Sequence, residues 1–343
     1  MQKLLLLILV SVAFSTIAEP QSDVAKSPFE ERSILLGLHR GGREQWPENT
    51  VIAYQEAVKR WPDALLELDV LATADGQVVV ISGAGSGFGR ETALEMLRLG
   101  ATVIGCGRRT EPLEETAALA EELAGQFSFR DLDIRDDEGV DEFFDWVLVE
   151  HGHLDTLVNN AGGQFLSPAE AITPKGFRTV IELNVTGTWL MTHAAATKAF
   201  IPQRRGRIFN VTLSPHNGMP GMVHSGAARA AVENMTKTLA TEWSRYGIIT
   251  CAIAAGQFAT DTFVNKYPPA VVEAIPRTIP LGRVGESEEM AWMLAYLASE
   301  AGDFISGSVI TVDGGRDNWF GPWPPGEITG GSGEPPAEER RPK

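Results

Sequence analysis

Apolar and polar positions along this chain fall into blocks of different period. After Lys3 comes an unbroken apolar run, LLLLILVSVAF, too short and wrongly flanked to span a bilayer. With Thr16-Ile17-Ala18 behind it as a small-residue cleavage site, segment 1–18 has the form of an export signal, and the polar stretch 19–33 reads as a linker. From Ile34, the runs ILLGL, HRGGREQWPENTVIAYQEAVKRW and ALLELDVLATADGQVVVI predict strand, loop and helix, strand, turn and strand. The β-branched run Gln77–Ile81 then meets a glycine cluster and the helical pattern RETALEMLRLG, while ATVIGCG and LDTLV predict further strands. Strands alternating with helical patterns predict a doubly wound α/β parallel sheet over about 76–318. A short βα barrel-like fragment, 34–75, precedes it, and a Pro-, Gly- and charge-rich tail expected to be disordered, 319–343, follows it.

Composition narrows the class of partner. The 343 residues are 43% hydrophobic, 22% charged and 8% aromatic, which is the make-up of a globular protein with a substantial core. A formal net charge of −16 with no long basic run excludes a nucleic-acid phosphate partner. Two cysteines, Cys106 and Cys251, make neither a disulfide framework nor a zinc site, and inside strand-like runs they read as buried apolar thiols.

The first fragment carries three motifs: His39-Arg40-Gly41, Pro47-Glu48-Asn49-Thr50 and Glu67-Leu68-Asp69. Together they resemble the opening of the glycerophosphodiester phosphodiesterase family, a barrel fold. Glu67 and Asp69, two apart on a strand, would face one side and could hold a hard cation if the fragment were functional. The resemblance covers only 34–81. Where that family has His-Asp, this chain has Ser82-Gly83, and three strands cannot close an eight-stranded barrel. The expectation is therefore no phosphodiesterase activity and no metal site.

The run Ser82-Gly83-Ala84-Gly85-Ser86-Gly87-Phe88-Gly89 stands between a strand and a helix, the context a dinucleotide loop requires. Gly83 would allow the tight turn, Gly87 the approach of backbone N–H groups to a pyrophosphate, and Gly89 close helix packing, in a Rossmann-like fold. At the end of the next strand an acidic residue would select NAD. Here Gly107-Arg108-Arg109 stands instead, so guanidinium groups can pair with a 2′-phosphate and the expected cofactor is NADP.

From Gln77 to about Asn318 the chain resembles the short-chain dehydrogenase/reductase family through several landmarks in order. Asp133-Ile134 matches the acidic position that holds adenine, and Asn159-Asn160-Ala161-Gly162 the turn after the fourth strand. Asn184 in LNVTG matches a helix asparagine that positions an active-site water. Gly256 and Thr260 match a segment facing the nicotinamide, with Ala255 in place of its proline, and Val312-Asp313-Gly314-Gly315 matches the closing strand.

The catalytic positions depart from that family's serine, tyrosine and lysine. In their register stand Thr212, Ser225 and Arg229, and no tyrosine lies in this stretch. A serine hydroxyl is a far weaker acid than a phenol, and an arginine stays charged, so this set suits ketone reduction poorly. Hydride addition to an enoyl thioester instead places charge on the thioester oxygen, which hydroxyl and guanidinium donors can stabilise. The segment VHSGAARAAVENMTKTLATEW is similar to peroxisomal trans-2-enoyl-CoA reductases. That resemblance implies NADPH-dependent saturation of trans-2-enoyl-CoA, with dienoyl-CoA reductases as neighbours and an acyl-CoA thioester as substrate. A homo-oligomer is implied by analogy, and no membrane association of the mature form is expected. A ketoacyl or carbonyl reductase and a non-catalytic NADP-binding protein stay open as alternatives. So does the location, because the signal points to export and NADPH chemistry to the cytoplasm or an organelle.

Lesser candidates carry milder expectations. Ser214 is an alternative hydroxyl to Thr212; Glu233 and Lys237 suggest a solvated ion pair; His224 suggests a core histidine; Arg204, Arg205 and Arg207 suggest turn residues; and 257–281 suggests a substrate loop.

Overall fold

The computed structural model describes residues 37–38, 65–66, 76–214, 218–260, 263 and 269–318. Contacts divide the chain into two units, Met1–Leu71 and Ala72–Lys343. In the first, Gly37–Leu38 pairs in parallel with Leu65–Leu66. The expected signal, linker and tail, together with His39, Glu67 and Asp69, lie outside the described residues.

The second unit is built on seven parallel strands: β1 (Val78–Ser82), β2 (Thr102–Gly107), β3 (Gln126–Asp131), β4 (Thr156–Asn159), β5 (Gly206–Leu213), β6 (Ile248–Ala255) and β7 (Val309–Val312). Their order is β3-β2-β1-β4-β5-β6-β7, so the chain winds outward from β1 to β3 and returns to build the other half. Such a reversal opens a crevice at the carboxyl ends of β1 and β4, where ligands bind in this architecture.

Helices cover both faces: α1 (Gly87–Arg98), α2 (Thr110–Ala120), α3 (Asp137–His151), α4 (Pro174–Ile181), α5 (Gly187–Ala195), α6 (Val223–Trp243) and α7 (Ser287–Ala298). Alternate residues of β1 serve opposite layers. Val79 and Ile81 pack with Ala93, Met96 and Leu97 of α1 and Leu294 of α7, while Val78 and Val80 pack with Phe144 of α3, Met191 of α5 and Trp243 of α6. A strand buried on both faces is a continuous apolar run, which is why QVVVI shows no alternation. Cys106 and Cys251 are buried free thiols, and desolvation pushes Cys106 up to about 12. No helix among the described residues is long and apolar enough to cross a membrane.

Candidate active site

The crevice begins where β1 ends. Gly83 has φ +71, and its N–H donates to the Cys106 carbonyl at 2.7 Å. A Cβ there would lie 2.9 Å from Asn160 Nδ2, and one on Gly89 would lie 2.2 Å from the Gly83 carbonyl oxygen. No larger residue fits that packing of turn on helix. The helix starts earlier than its apolar pattern suggests, at Gly87, so the N–H groups of Gly87, Phe88 and Gly89 are free first-turn donors. Ser86 is an extended N-cap whose side chain makes no cap hydrogen bond, and no acid stands in the first turn. An N-terminus left open in this way is suited to a bound anion.

Ser82 and Asn160 tie the ends of β1 and β4 together. The backbone N–H groups of Asn160 and Ala161 both donate to Ser82 Oγ at 3.0 Å, and Asn160 Nδ2 donates to the Ser82 carbonyl at 3.0 Å. Arg90 braces the loop from below, donating to the Gly85 carbonyl at 2.6 Å and to Glu115 at 2.6 Å.

The resulting cavity of about 200 Å³ is lined by eight of the residues expected from sequence: Gly83, Ser86, Arg108, Arg109, Asp133, Ile134, Ala161 and Gly162. The other expected nucleotide positions frame it. Asn160 acts through the ties just described, and Phe88 turns its ring edge-on to Phe258 with centroids 4.8 Å apart. Thr260 Cγ2 lies 3.7 Å from where a Gly87 Cβ would be, and Gly256 closes on Asp313. Asp133 is a salt-bridged residue here: Arg135 donates to both its oxygens, at 2.9 Å and 2.5 Å, and that guanidinium holds its carboxyl below the usual carboxylate range.

The helix facing β4 is interrupted where the site needs it. After α4 the backbone widens into a π-turn over Glu182–Thr186 before resuming as α5. Asn184, fully buried in that turn, donates to the Val180 carbonyl at 2.7 Å and the Gly163 carbonyl at 2.8 Å, and accepts the Gly163 N–H at 3.1 Å. Its side chain occupies a carbonyl one turn back, in competition with the helix ladder, and so accommodates the wider turn.

The four expected catalytic residues divide into three and one. Asn184 and Arg229 meet at Gly162, where a Cβ would lie 2.7 Å from Asn184 Oδ1 and 2.6 Å from Arg229 Nη2. Ser225 Oγ donates to Gln164 Oε1 at 2.6 Å, in the loop that Asn184 anchors. Thr212 is different: its hydroxyl is buried and donates to Glu233 Oε1 at 2.9 Å. Ser214, the alternative hydroxyl, instead donates to Asp313 at 2.6 Å. The solvated Glu233–Lys237 pair is corrected as well, because Glu233 is only 8% exposed and faces β5. Arg205 precedes β5 and pairs with Asp155, whereas Arg207, expected in the turn, is the second residue of β5 itself and pairs with Asp303. Gln164 was not singled out from sequence, and the signal available was its place directly after Gly162-Gly163. His224 is buried, its Nδ1 accepting the Ser225 N–H at 2.9 Å, with Phe165 edge-on to the ring.

A glycine-lined crevice at the switch point of a parallel sheet, with an open helix N-terminus and a serine–arginine helix beside it, defines a dinucleotide-dependent oxidoreductase. Comparison with known proteins makes this specific. The profile of the family described as Enoyl-(Acyl carrier protein) reductase matches residues 83–317. A short match to the Glycerophosphoryl diester phosphodiesterase family spans residues 39–93. A probable 2,4-dienoyl-CoA reductase of Bacillus subtilis is 38% identical over 72% of this chain and 98% of its own length. A peroxisomal 2,4-dienoyl-CoA reductase of Arabidopsis thaliana is 35% identical over 70% of this chain and 84% of its own. Among solved structures, a citronellol catabolism dehydrogenase of Pseudomonas aeruginosa is 37% identical with a TM-score of 0.65, over 73% of this chain and 99% of its own. The chain belongs to the short-chain dehydrogenase/reductase family of nicotinamide-dependent oxidoreductases.

Proposed function

We propose that this protein uses NADPH to reduce the carbon–carbon double bond of trans-2-enoyl-CoA thioesters. The observation that carries the reading is the Ser225–Gln164 pair beside Arg229, standing where the family's tyrosine and lysine would be. The two tyrosines among the described residues are elsewhere: Tyr246 stacks with Arg204 and Arg245 beyond the far end of α6, and Tyr296 is exposed on α7. The thioester reductases among the relatives support the substrate class.

The crevice fits the nucleotide by its own features. Gly83 and Gly89 let the turn pack directly on α1, Gly162 lets Asn184 and Arg229 come up against the crevice wall, α1 offers uncapped N–H donors, and Arg229 keeps its Nε buried without a partner. When bound, the nucleotide would supply a hydride. The first turn of α1 would hold its pyrophosphate, Arg108 and Arg109 its 2′-phosphate, and Arg229 the ribose next to the nicotinamide.

The remaining chemistry falls to Ser225 and Gln164. Ser225 Oγ–H, released from Gln164, would donate to the thioester oxygen as charge gathers there, and the freed amide of Gln164 would turn its NH₂ to the same oxygen. Two neutral donors suit an enolate, whose α-carbon afterwards takes a proton from solvent water, releasing hydroxide to the buffer. They suit an alkoxide poorly, because it needs an acid at once. The exposed Trp292 and Tyr296 of α7 support a homo-oligomer, which sedimentation would read directly.

The test is NADPH consumption by the purified chain with trans-2-enoyl-CoA, 2,4-dienoyl-CoA and 3-ketoacyl-CoA of one chain length. The proposal expects enoyl turnover well above ketoacyl turnover. Preference for the dienoyl substrate would move this protein to the activity for which its Bacillus subtilis relative is named. Ketoacyl preference would sink the donor argument, and tight NADPH binding without turnover would leave a binding protein.

A further inference from the structure

Two consecutive residues of β5 are held by two side chains of α6 one helical turn apart. The Val211 carbonyl accepts from Arg229 Nη1 at 3.0 Å, and Thr212 Oγ1 donates to Glu233 Oε1 at 2.9 Å. Both contacts lie beneath the crevice, since Arg229 Nη2 reaches the surface of Gly162 above them. Glu233 is buried, and a carboxylate taken out of water needs a cation close by as well as a neutral hydroxyl. Two cations stand four residues away on its helix face. Lys237, on the far side from the crevice, is exposed, whereas Arg229 is half-buried with its Nε enclosed.

We propose that Glu233 is a positioning residue: tethered by Thr212, its carboxylate holds the Arg229 guanidinium against Gly162, in the orientation that receives the nucleotide. This rests on the reading of Arg229 as the ribose clamp. Burial pushes Arg229 down to about 10, even with the charge of Glu233 acting in the opposite direction. The arginine is therefore a cation at neutral pH whose direction is set by a second charge rather than by water. At the position of the family's serine, Thr212 thus has a different task, because its hydroxyl orients the group that orients the clamp.

The experiment is a binding one, read by NADPH fluorescence on the full chain with a parallel NADH titration. Four proteins form a cycle: wild type, Glu233→Gln, Arg229→Met and the double variant. Glu233→Gln is expected to weaken NADPH binding roughly tenfold, a coupling within the range seen for residues that share one network, and to cause no further loss once Arg229 is gone. Lys237→Met is expected to bind as wild type does. The proposal is overturned by wild-type affinity in Glu233→Gln, by equal losses with and without Arg229, or by a larger effect of Lys237→Met. If near-ultraviolet circular dichroism shows Glu233→Gln unfolded, Thr212→Val and Thr212→Ser decide. About threefold weaker binding in the first, restored in the second, is expected; equal affinities overturn it. A wild type that binds NADPH yet reduces no enoyl thioester would sink the proposed function and leave this cycle intact. A wild type that binds neither nucleotide overturns both.

Discussion

The two halves of the crevice are built by opposite means. Around β1 and β4 the walls are backbone: Gly83 and the Asn160–Gly162 turn pack closely together, the first turn of α1 offers its N–H groups, and the side chains there serve mainly to tie loops together. Around β5 and α6 the walls are side chains held in place by hydrogen bonds: Ser225 by Gln164, Thr212 by Glu233, and Arg229 by the Val211 carbonyl. A wall of backbone admits almost no substitution, whereas a wall of paired side chains can change its chemistry by exchanging partners. This is how the chain can carry an unaltered glycine turn at β1 while Ser225 and Arg229 stand in the register of the family's tyrosine and lysine.

The largest effect should come from the backbone half. Gly89→Val forces a side chain onto the Gly83 carbonyl and is expected to weaken NADPH roughly a thousandfold, about 4 kcal/mol. Calorimetric titration checks it, and near-normal affinity would show that the turn can move. Next, in the side-chain half, Ser225→Ala is expected to lower enoyl-CoA kcat about a hundredfold at unchanged NADPH affinity, the size typical of losing one donor to a developing oxyanion. A loss of affinity instead would place Ser225 with the nucleotide and blur the division. Arg108→Glu should lower the ratio of NADPH to NADH affinity roughly tenfold or more, through repulsion of the 2′-phosphate. An unchanged ratio would remove Arg108 from cofactor selection.

The smallest effect lies outside both halves and serves as a control. Arg283 and the Glu286 N–H pull the Glu289 carboxyl down to about 2 from its ordinary 4.5. A carboxyl lowered on folding stabilises the native state above its unfolded pKa, and this contribution is lost as pH falls from about 4.5 toward 2. Glu289→Gln should flatten the fall of Tm in that window slightly and leave nucleotide affinity unchanged.

Legibility in the sequence follows the same division. The glycine loop was readable because φ +71 at Gly83 and the contact of Gly89 with a carbonyl each admit glycine and little else. The sheet was readable because its buried strands are continuous apolar runs. The partners in the second half were not. Glu233 has a cation four residues to either side, which suggests a surface ion pair, and nothing in that spacing reveals its burial or its hydrogen bond from Thr212 across to β5. Thr212 and Ser214 share a strand face in the pattern, yet one meets α6 and the other meets Asp313 beyond β7. Gln164 sits in a loop with no period to reveal it.

The π-turn at Asn184 has a consequence for chain length. A π-turn is an α-helix carrying one surplus residue, so the segment from α4 to α5 is one residue longer than its span requires. Removing a single residue from 182–186 would let the helix close into regular turns, rotating Asn184 away from Gly163 and unfastening the loop that holds Gln164. Point changes around this helix test its chemistry. A one-residue deletion tests its arithmetic, because here the crevice is secured by a miscount that the fold has kept.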